Sequence, residues 1–138
     1  MRIELSIPGK PTPLSRAGHG QFGGKFLTAP TSRQIGLVVD AWERAGGPRF
    51  PDDIALRLDA TFVLERPSSH YGTGRNAGVL KGSARPFPTG RPDLSNLVKL
   101  VEDALNENAF KDDSRIVECK ATKVYGERSC TFLVLEAA

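Results

Sequence analysis

The chain has 138 residues, of which 39% are hydrophobic and 25% charged, values typical of one globular domain with a single core. No apolar run approaches the length of a membrane span, and no charged region followed by an apolar one marks a signal peptide at the N-terminus. The sequence therefore predicts a single domain over residues 1–138 that does not cross a membrane. Two cysteines, Cys119 and Cys130, are too few for a disulfide framework, and we expect both to stay reduced in the cytoplasm.

The net charge of +3 is small, but acids and bases are segregated along the chain. Of the 16 acids, seven lie between Asp93 and Glu118. Two long segments, at about 9–30 and 66–92, contain basic residues and no acid. We interpret both as flexible basic loops whose cations contact nucleic-acid phosphates, although a solvated surface loop has the same composition. Their candidate nucleic-acid-binding residues are Lys10, Arg16, Lys25, Arg66, Arg75, Lys81, Arg85 and Arg91.

The first half of the chain alternates between strand and helix patterns. Residues 2–7 alternate polar and apolar side chains, which predicts a half-buried strand. Thr31 and Gln34 fit a capping box at the start of a helix whose apolar stripe includes Trp42, and Gly46-Gly47 supplies its end. Residues 54–64 alternate again, with Leu56 and the residues at even positions on one face, and predict a second strand.

A second amphipathic helix begins after Asp93, which stands at the N-cap position, and ends near residues 106–108. Its polar face carries Ser95, Lys99, Glu102, Asp103 and Asn106. Asp112 and Asp113 follow, and a short turn would return them to the side of the helix.

Two strands are expected after this helix, at 115–125 and 129–136, joined by a turn as an antiparallel hairpin. In the first of them Val117, Cys119 and Ala121 are expected to face inward. The predicted fold is α+β: a small mixed sheet with two packed helices, in the order strand, helix, strand, helix, strand, strand.

The acids at the two ends of the second helix suggest a site for a hard divalent cation. Mg²⁺ or Mn²⁺ needs only one or two carboxylates besides substrate oxygens, and Asp93 with Asp113 or Asp112 would suffice. Lys99 could reach the same phosphate. Other interpretations stay open: Asp93 as a simple cap, Lys99 with Asp103 as a surface ion pair, and residues 112–114 as a turn. Zinc spacing, an ATP-binding loop and a Ser-His-Asp set are absent from the sequence.

Four segments together carry a resemblance to a known family: GKPTP at 9–13, RPDLSNLVK at 91–99, DAL at 103–105 and DDSRI at 112–116. They resemble the RusA family of Holliday junction resolvases, small endodeoxyribonucleases that are often encoded by phages or prophages. The resemblance implies a Mg²⁺-dependent homodimer, with Mn²⁺ as a substitute, that resolves four-way DNA junctions by paired symmetric nicks without ATP. It also implies action in the cytoplasm, that of a bacterial host if the chain is phage-encoded.

Carried over by position, the resemblance implies catalytic roles for Asp93, Lys99 and Asp113, with the two aspartates as metal ligands. The family commonly has another Asp two residues after the first, where this chain has Ser95. A serine hydroxyl can meet a metal-bound water but brings no negative charge, which leaves two alternatives: Asp112 or Asp103 shares the task, or catalysis is weak. Two other functions fit the same residues: a non-catalytic protein that binds junctions or single strands, and a small interaction module whose acids are caps and surface charges.

Overall fold

A computed structural model describes residues 1–19 and 25–138 of the chain, without the side chains of residues 16–26. Its strands are β1 (Arg2–Pro8), β2 (Arg16–His19), β3 (Lys25–Leu27), β4 (Leu56–Glu65), β5 (Ile116–Gly126) and β6 (Cys130–Ala137), and its helices are α1 (Ala29–Arg44) and α2 (Leu94–Leu105). The predicted loop at 9–30 thus contains two short strands. The predicted contacts of Arg16 and Lys25 lie outside the described side chains.

Four strands form one mixed sheet in the order β1-β6-β4-β5. The inner strand β4 pairs antiparallel with β6 and parallel with β5, while β1 pairs antiparallel with β6. Parallel pairing of β4 and β5 requires a crossover connection, and α2 lies within it. The predicted α+β class and element order are confirmed, with β2 and β3 added as a separate two-stranded ribbon.

The expected hairpin between the last two strands is wrong, because β4 is inserted between β5 and β6. Two strand spacings make the gap about 10 Å, which three extended residues can span. The connection crosses the end of β4, where the Ser129 hydroxyl accepts the backbone N–H of Glu65 at 2.9 Å. Gly126 is required at this crossing, since a Cβ there would lie 2.5 Å from Cγ1 of Val63.

The burial expected for Val117 and Cys119 is also wrong, and for Val117 the inward orientation is wrong as well. The register between β4 and β5 shifts after the Leu56–Ile116 pair, so Val117 is the extra residue of a bulge and is 64% exposed. Cys119 pairs with buried Leu58 but is itself exposed at the edge of the sheet. Only Ala121 of the three packs against the core.

The core lies between one face of the sheet and the two helices. The alternating residues of β4 are buried as predicted, from Leu56 to Leu64, and the helical stripe that includes Val38 and Trp42 belongs to the same core. α2 contributes an apolar face as predicted, and its buried residues are Leu97, Leu100, Val101, Ala104 and Leu105.

The start of α1 differs from the prediction. Thr28, not Thr31, is the N-cap, and its hydroxyl accepts the N–H of Thr31, because Pro30 fits the first turn and lets the helix begin earlier. Gly46, with φ 68°, follows the end of the helix as expected.

Thr31, which was predicted as the N-cap, is fully buried and bonds to the N-terminal segment. Its hydroxyl donates to the Pro13 carbonyl and accepts the Ser15 N–H, both at 3.0 Å.

The stretch from 66 to 92 has local structure that its sequence pattern did not suggest. It contains two single 3₁₀ turns, Ser68–His70 and Gly74–Asn76. A bridge between Tyr71 and Leu80, with a bond from the Gly72 N–H to the Val79 carbonyl at 2.9 Å, closes its outer part. In the described part of the chain, neither helix has the length and apolar character needed to cross a bilayer.

Candidate active site

Asp93 stands at the start of α2 as its N-cap, with an exposed side chain. Its backbone is extended (φ −68°, ψ 137°), and its carbonyl accepts the Leu97 N–H at 3.1 Å, so it is the N-cap as predicted. However, its side chain makes no capping hydrogen bond, and no ion pair with the described side chains of residues 1–15 and 27–138. Since the residue is exposed, the carboxylate is available to a ligand.

Lys99 connects α2 to the segment that follows it. Its Nζ lies 3.2 Å from Oδ1 of Asp103 and 3.6 Å from Oδ2 of Asp113. The hydrogen bond and the charge of Asp103 raise the pKa of Lys99, so the side chain is cationic at neutral pH. Lys99 therefore forms the surface ion pair with Asp103 that was one of the open interpretations. The same ammonium also contacts Asp113, the acid that was expected to return to the side of the helix.

Glu102 belongs to the same cluster, and sequence reasoning gave it no role. Partial burial is the main cause that raises the pKa of Glu102, and the negative charge of Asp113 raises it further. Ser95, Lys99 and Glu102 line one shallow depression on the polar face of α2. The shared helical face of these three residues could have identified Glu102 from the sequence. The contact of Glu102 with Asp113, however, depends on the turn that follows the helix.

Asp112 has a different environment from its neighbour. Its Oδ2 accepts the N–H of Ser114 at 3.2 Å and caps the 3₁₀ turn Asp113–Arg115. Hydrogen bonding from Ser114 lowers the pKa of Asp112. This turn presents Asp113 to Lys99, so of the two adjacent acids it is Asp113 that joins the cluster.

The N-terminal segment forms a second wall beside Asp93. The Leu14 N–H donates to the Asn96 carbonyl at 3.1 Å, which fixes residues 13–15 along the first turn of α2. One groove is lined by this segment together with Arg91 and Asp93, and a neighbouring groove by Lys10 and Arg91. The structure thus places two of the predicted DNA-binding cations next to Asp93.

The remaining basic residues of the long loop have two kinds of environment. Arg66 lies 4.4 Å from the ring centroid of Tyr125 and donates to the Arg85 carbonyl at 2.7 Å, so it braces the loop. The Arg85 guanidinium donates to Thr89 at 2.9 Å. Arg75 and Lys81 are exposed and have no carboxylate partner in the part of the chain that the structure describes.

Lys123 was not identified from the sequence. Its Nζ donates to the carbonyls of Gly90 and Pro92, at 2.8 and 2.9 Å. These bonds attach the segment before Asp93 to β5.

The oxygen donors of this region fit a hard divalent cation. No group of three or more His, Cys, Asp or Glu side chains forms a complete metal site among the described residues. Mg²⁺ does not need one, because waters and substrate phosphates complete its shell around one or two carboxylates. Asp113 and Asp93 offer such carboxylates, and Ser95 a hydroxyl. Asp93 lies about 9 Å before Lys99 along the helix axis, outside the direct contacts of the Lys99 cluster.

Comparison with known proteins adds a family to this geometry. The chain is 51% identical over 47 residues to the uncharacterized protein YqaN of Bacillus subtilis (strain 168), an alignment covering 34% of this chain and 32% of YqaN. The chain therefore matches about a third of that relative. The sequence model of endodeoxyribonuclease RusA, by contrast, matches residues 8–135, a range that includes both grooves, α2 and the acidic turn. The chain belongs to the RusA family of endodeoxyribonucleases.

Proposed function

We propose that the chain is a Mg²⁺-dependent endonuclease that resolves four-way DNA junctions by paired, symmetric nicks. The position of Asp93 carries this proposal. Its exposed carboxylate, which makes no capping hydrogen bond, lies between a groove lined by Lys10 and Arg91 and the helix face on which Lys99 contacts Asp113. Nuclease action needs this combination, because one part binds the DNA backbone and the other binds the cation at the scissile phosphate.

In this mechanism Asp93 and Asp113 would hold the ion, with Ser95 reaching it through a water. When bound, Mg²⁺ or Mn²⁺ polarises the phosphate and lowers the pKa of a water. Lys99 places a fixed positive charge beside the phosphate, where negative charge develops. Glu102 adds a carboxylate beside Asp113, in a chain that has serine where the family commonly has a second acid. Asp112 is engaged by Ser114, and we assign it to the turn.

We extend the proposal to a homodimer. A four-way junction has two-fold symmetry, and a C₂ dimer would present one site to each of two equivalent strands. Symmetric nicks then follow from the symmetry of the enzyme.

The test is cleavage of a synthetic four-way junction, beside a linear duplex of the same sequence, in Mg²⁺, in Mn²⁺ and in EDTA. We expect symmetric nicks only on the junction and only with metal. Asp93→Asn and Asp113→Asn should abolish nicking and retain junction binding, because both changes keep the side-chain volume. Loss of binding in both variants would mean that these residues maintain the fold or the dimer instead.

A second candidate is a junction- or single-strand-binding protein of the same fold without turnover. Ser95 favours it, since a ligand position without charge weakens metal binding. Tight junction binding without nicks in either metal would support this function. Ser95→Asp should then gain metal-dependent nicking, and Ser95→Ala serves as its control.

A further inference from the structure

Lys123 occupies an unusual position on the sheet. In the register of β5 it pairs with buried Phe62 of β4, between Ala121, which packs on the core, and Tyr125, which pairs with Leu64. A lysine on this face must direct its ammonium to polar partners, because a buried charge without them is costly.

Those partners are two backbone carbonyls. The Lys123 ammonium donates to Gly90 and Pro92, at 2.8 and 2.9 Å. No backbone N–H in the described chain bonds to either carbonyl. Two of the three donors of the ammonium are thus engaged, which leaves little capacity for a DNA phosphate.

The bond to Pro92 acts directly on Asp93. The Pro92 carbonyl and the Asp93 N–H belong to one planar peptide unit, so fixing the carbonyl oxygen also fixes the direction from which the chain enters Asp93. Asp93 then adopts its extended N-cap conformation with the carboxylate away from the N–H groups of α2. Hydrogen bonds from an ammonium are stronger than those between neutral groups, which suits them to this task.

We propose that Lys123 is a positioning residue that holds the peptide before Asp93 and thereby directs the Asp93 carboxylate toward the divalent cation. The inference rests on the proposed function. Lys123→Met should weaken divalent-cation affinity about 10-fold, the lower end of the effect expected when a residue supporting a metal ligand is removed.

The experiment measures Mn²⁺ binding to the whole chain without DNA, by the electron paramagnetic resonance signal of free Mn²⁺, and the nicking rate as a function of Mn²⁺. We expect Lys123→Met to shift both curves to higher Mn²⁺ while the rate at saturation stays near wild type. Lys123→Arg, which keeps charge and donors, should recover most of the affinity. Lys120→Met is the matched control, because Lys120 is exposed and pairs with Asp59 on the opposite face of the sheet.

Each outcome decides between alternatives. Unchanged Mn²⁺ affinity in Lys123→Met overturns the positioning role and leaves the nuclease proposal intact. A lower melting temperature with equal loss in the Met and Arg variants overturns it too, since support of the fold alone would explain both. A wild-type chain that neither binds Mn²⁺ nor nicks junctions in Mn²⁺ overturns the proposed function and, with it, the inference.

Discussion

Glu102 and Asp113 bring two carboxylates together in a partly buried position, where the charged forms disfavour each other. Lys99 opposes this repulsion through its contact with Asp113. Such an arrangement is unfavourable for the free protein and favours a bound cation. The folded chain in the absence of any cation therefore carries a local cost in stability, and the pH dependence of this cost can be measured.

We predict that Glu102→Gln raises the melting temperature by a few degrees at pH 7 in EDTA. The pKa of Glu102 is higher in the folded chain than its ordinary value of 4.5, so the folded state binds the proton more tightly than the unfolded state. The resulting stability is present at low pH and is lost as the pH rises through the folded pKa. The advantage of Glu102→Gln should therefore shrink as the pH falls toward 4.5. Thermal melts between pH 4.5 and 8 measure it.

The control for this prediction is Glu43→Gln, which removes an exposed carboxylate from α1. Its effect on the melting temperature should be small throughout the pH range. If Glu102→Gln instead lowered the melting temperature at pH 7, the attraction between Glu102 and Lys99 would exceed the repulsion from Asp113.

At the level of elements, the sequence predicts those whose pattern is local. α2 was predicted with its cap and its apolar face because its stripe and Asp93 lie within about three turns of one helix. β4 was equally clear, since its alternation continues over ten residues of an inner strand. The cluster of Lys99 with Asp113 followed from the same helix, because a short turn is enough to return the chain.

Elements that depend on distant partners could not be predicted in the same way. The pairing of β5 is set by β4, about 60 residues away. Nothing in the turn at 126–129 indicates that β4 lies between β5 and β6, the two strands that this turn connects. The same holds for Glu102 and Lys123. Their residue types were visible, but their partners Asp113 and Pro92 become neighbours only in the folded chain.

The loop at 66–92 supports a prediction about DNA binding. Its outer part carries Arg75 and Lys81, whereas Arg66 and Arg85 are engaged within the loop. We expect Arg75→Gln with Lys81→Gln to weaken junction binding and to make its dependence on salt shallower, by about one to two units in the slope of log affinity against log salt. Binding isotherms at several salt concentrations give this slope.

A matched variant loses two cations that are already neutralised. Arg44 pairs with Asp40 at 3.0 Å, and Arg49 pairs with Asp52 and Glu107. Arg44→Gln with Arg49→Gln should leave the salt slope near that of wild type. Equal slopes in all three proteins would remove the loop tip from the DNA interface.

On the scale of the whole molecule, the candidate site is assembled from four separated parts of the sequence. The segment at 10–15, the loop end at 90–93, the polar face of α2 and the turn at 112–115 meet beside β5. Within the described residues, each chain thus supplies one set of acids beside two neighbouring grooves, which Lys10 and Arg91 help to line. A single set can nick one strand, and paired nicks require a second set in a fixed relation to the first.

We therefore predict that mixed dimers of wild-type and Asp93→Asn chains make single nicks. Random co-refolding of equal amounts gives about half mixed dimers. On a supercoiled plasmid with an extruded cruciform, paired nicks yield linear DNA, whereas one nick yields an open circle and releases the cruciform. The mixture should raise the ratio of open circle to linear product well above that of wild type diluted two-fold in buffer. Co-refolding with Arg44→Gln, which retains its site, should leave the ratio unchanged. If the Asp93→Asn mixture and the diluted wild type gave equal ratios, each chain would act alone, and the symmetry of the junction would have no counterpart in the enzyme.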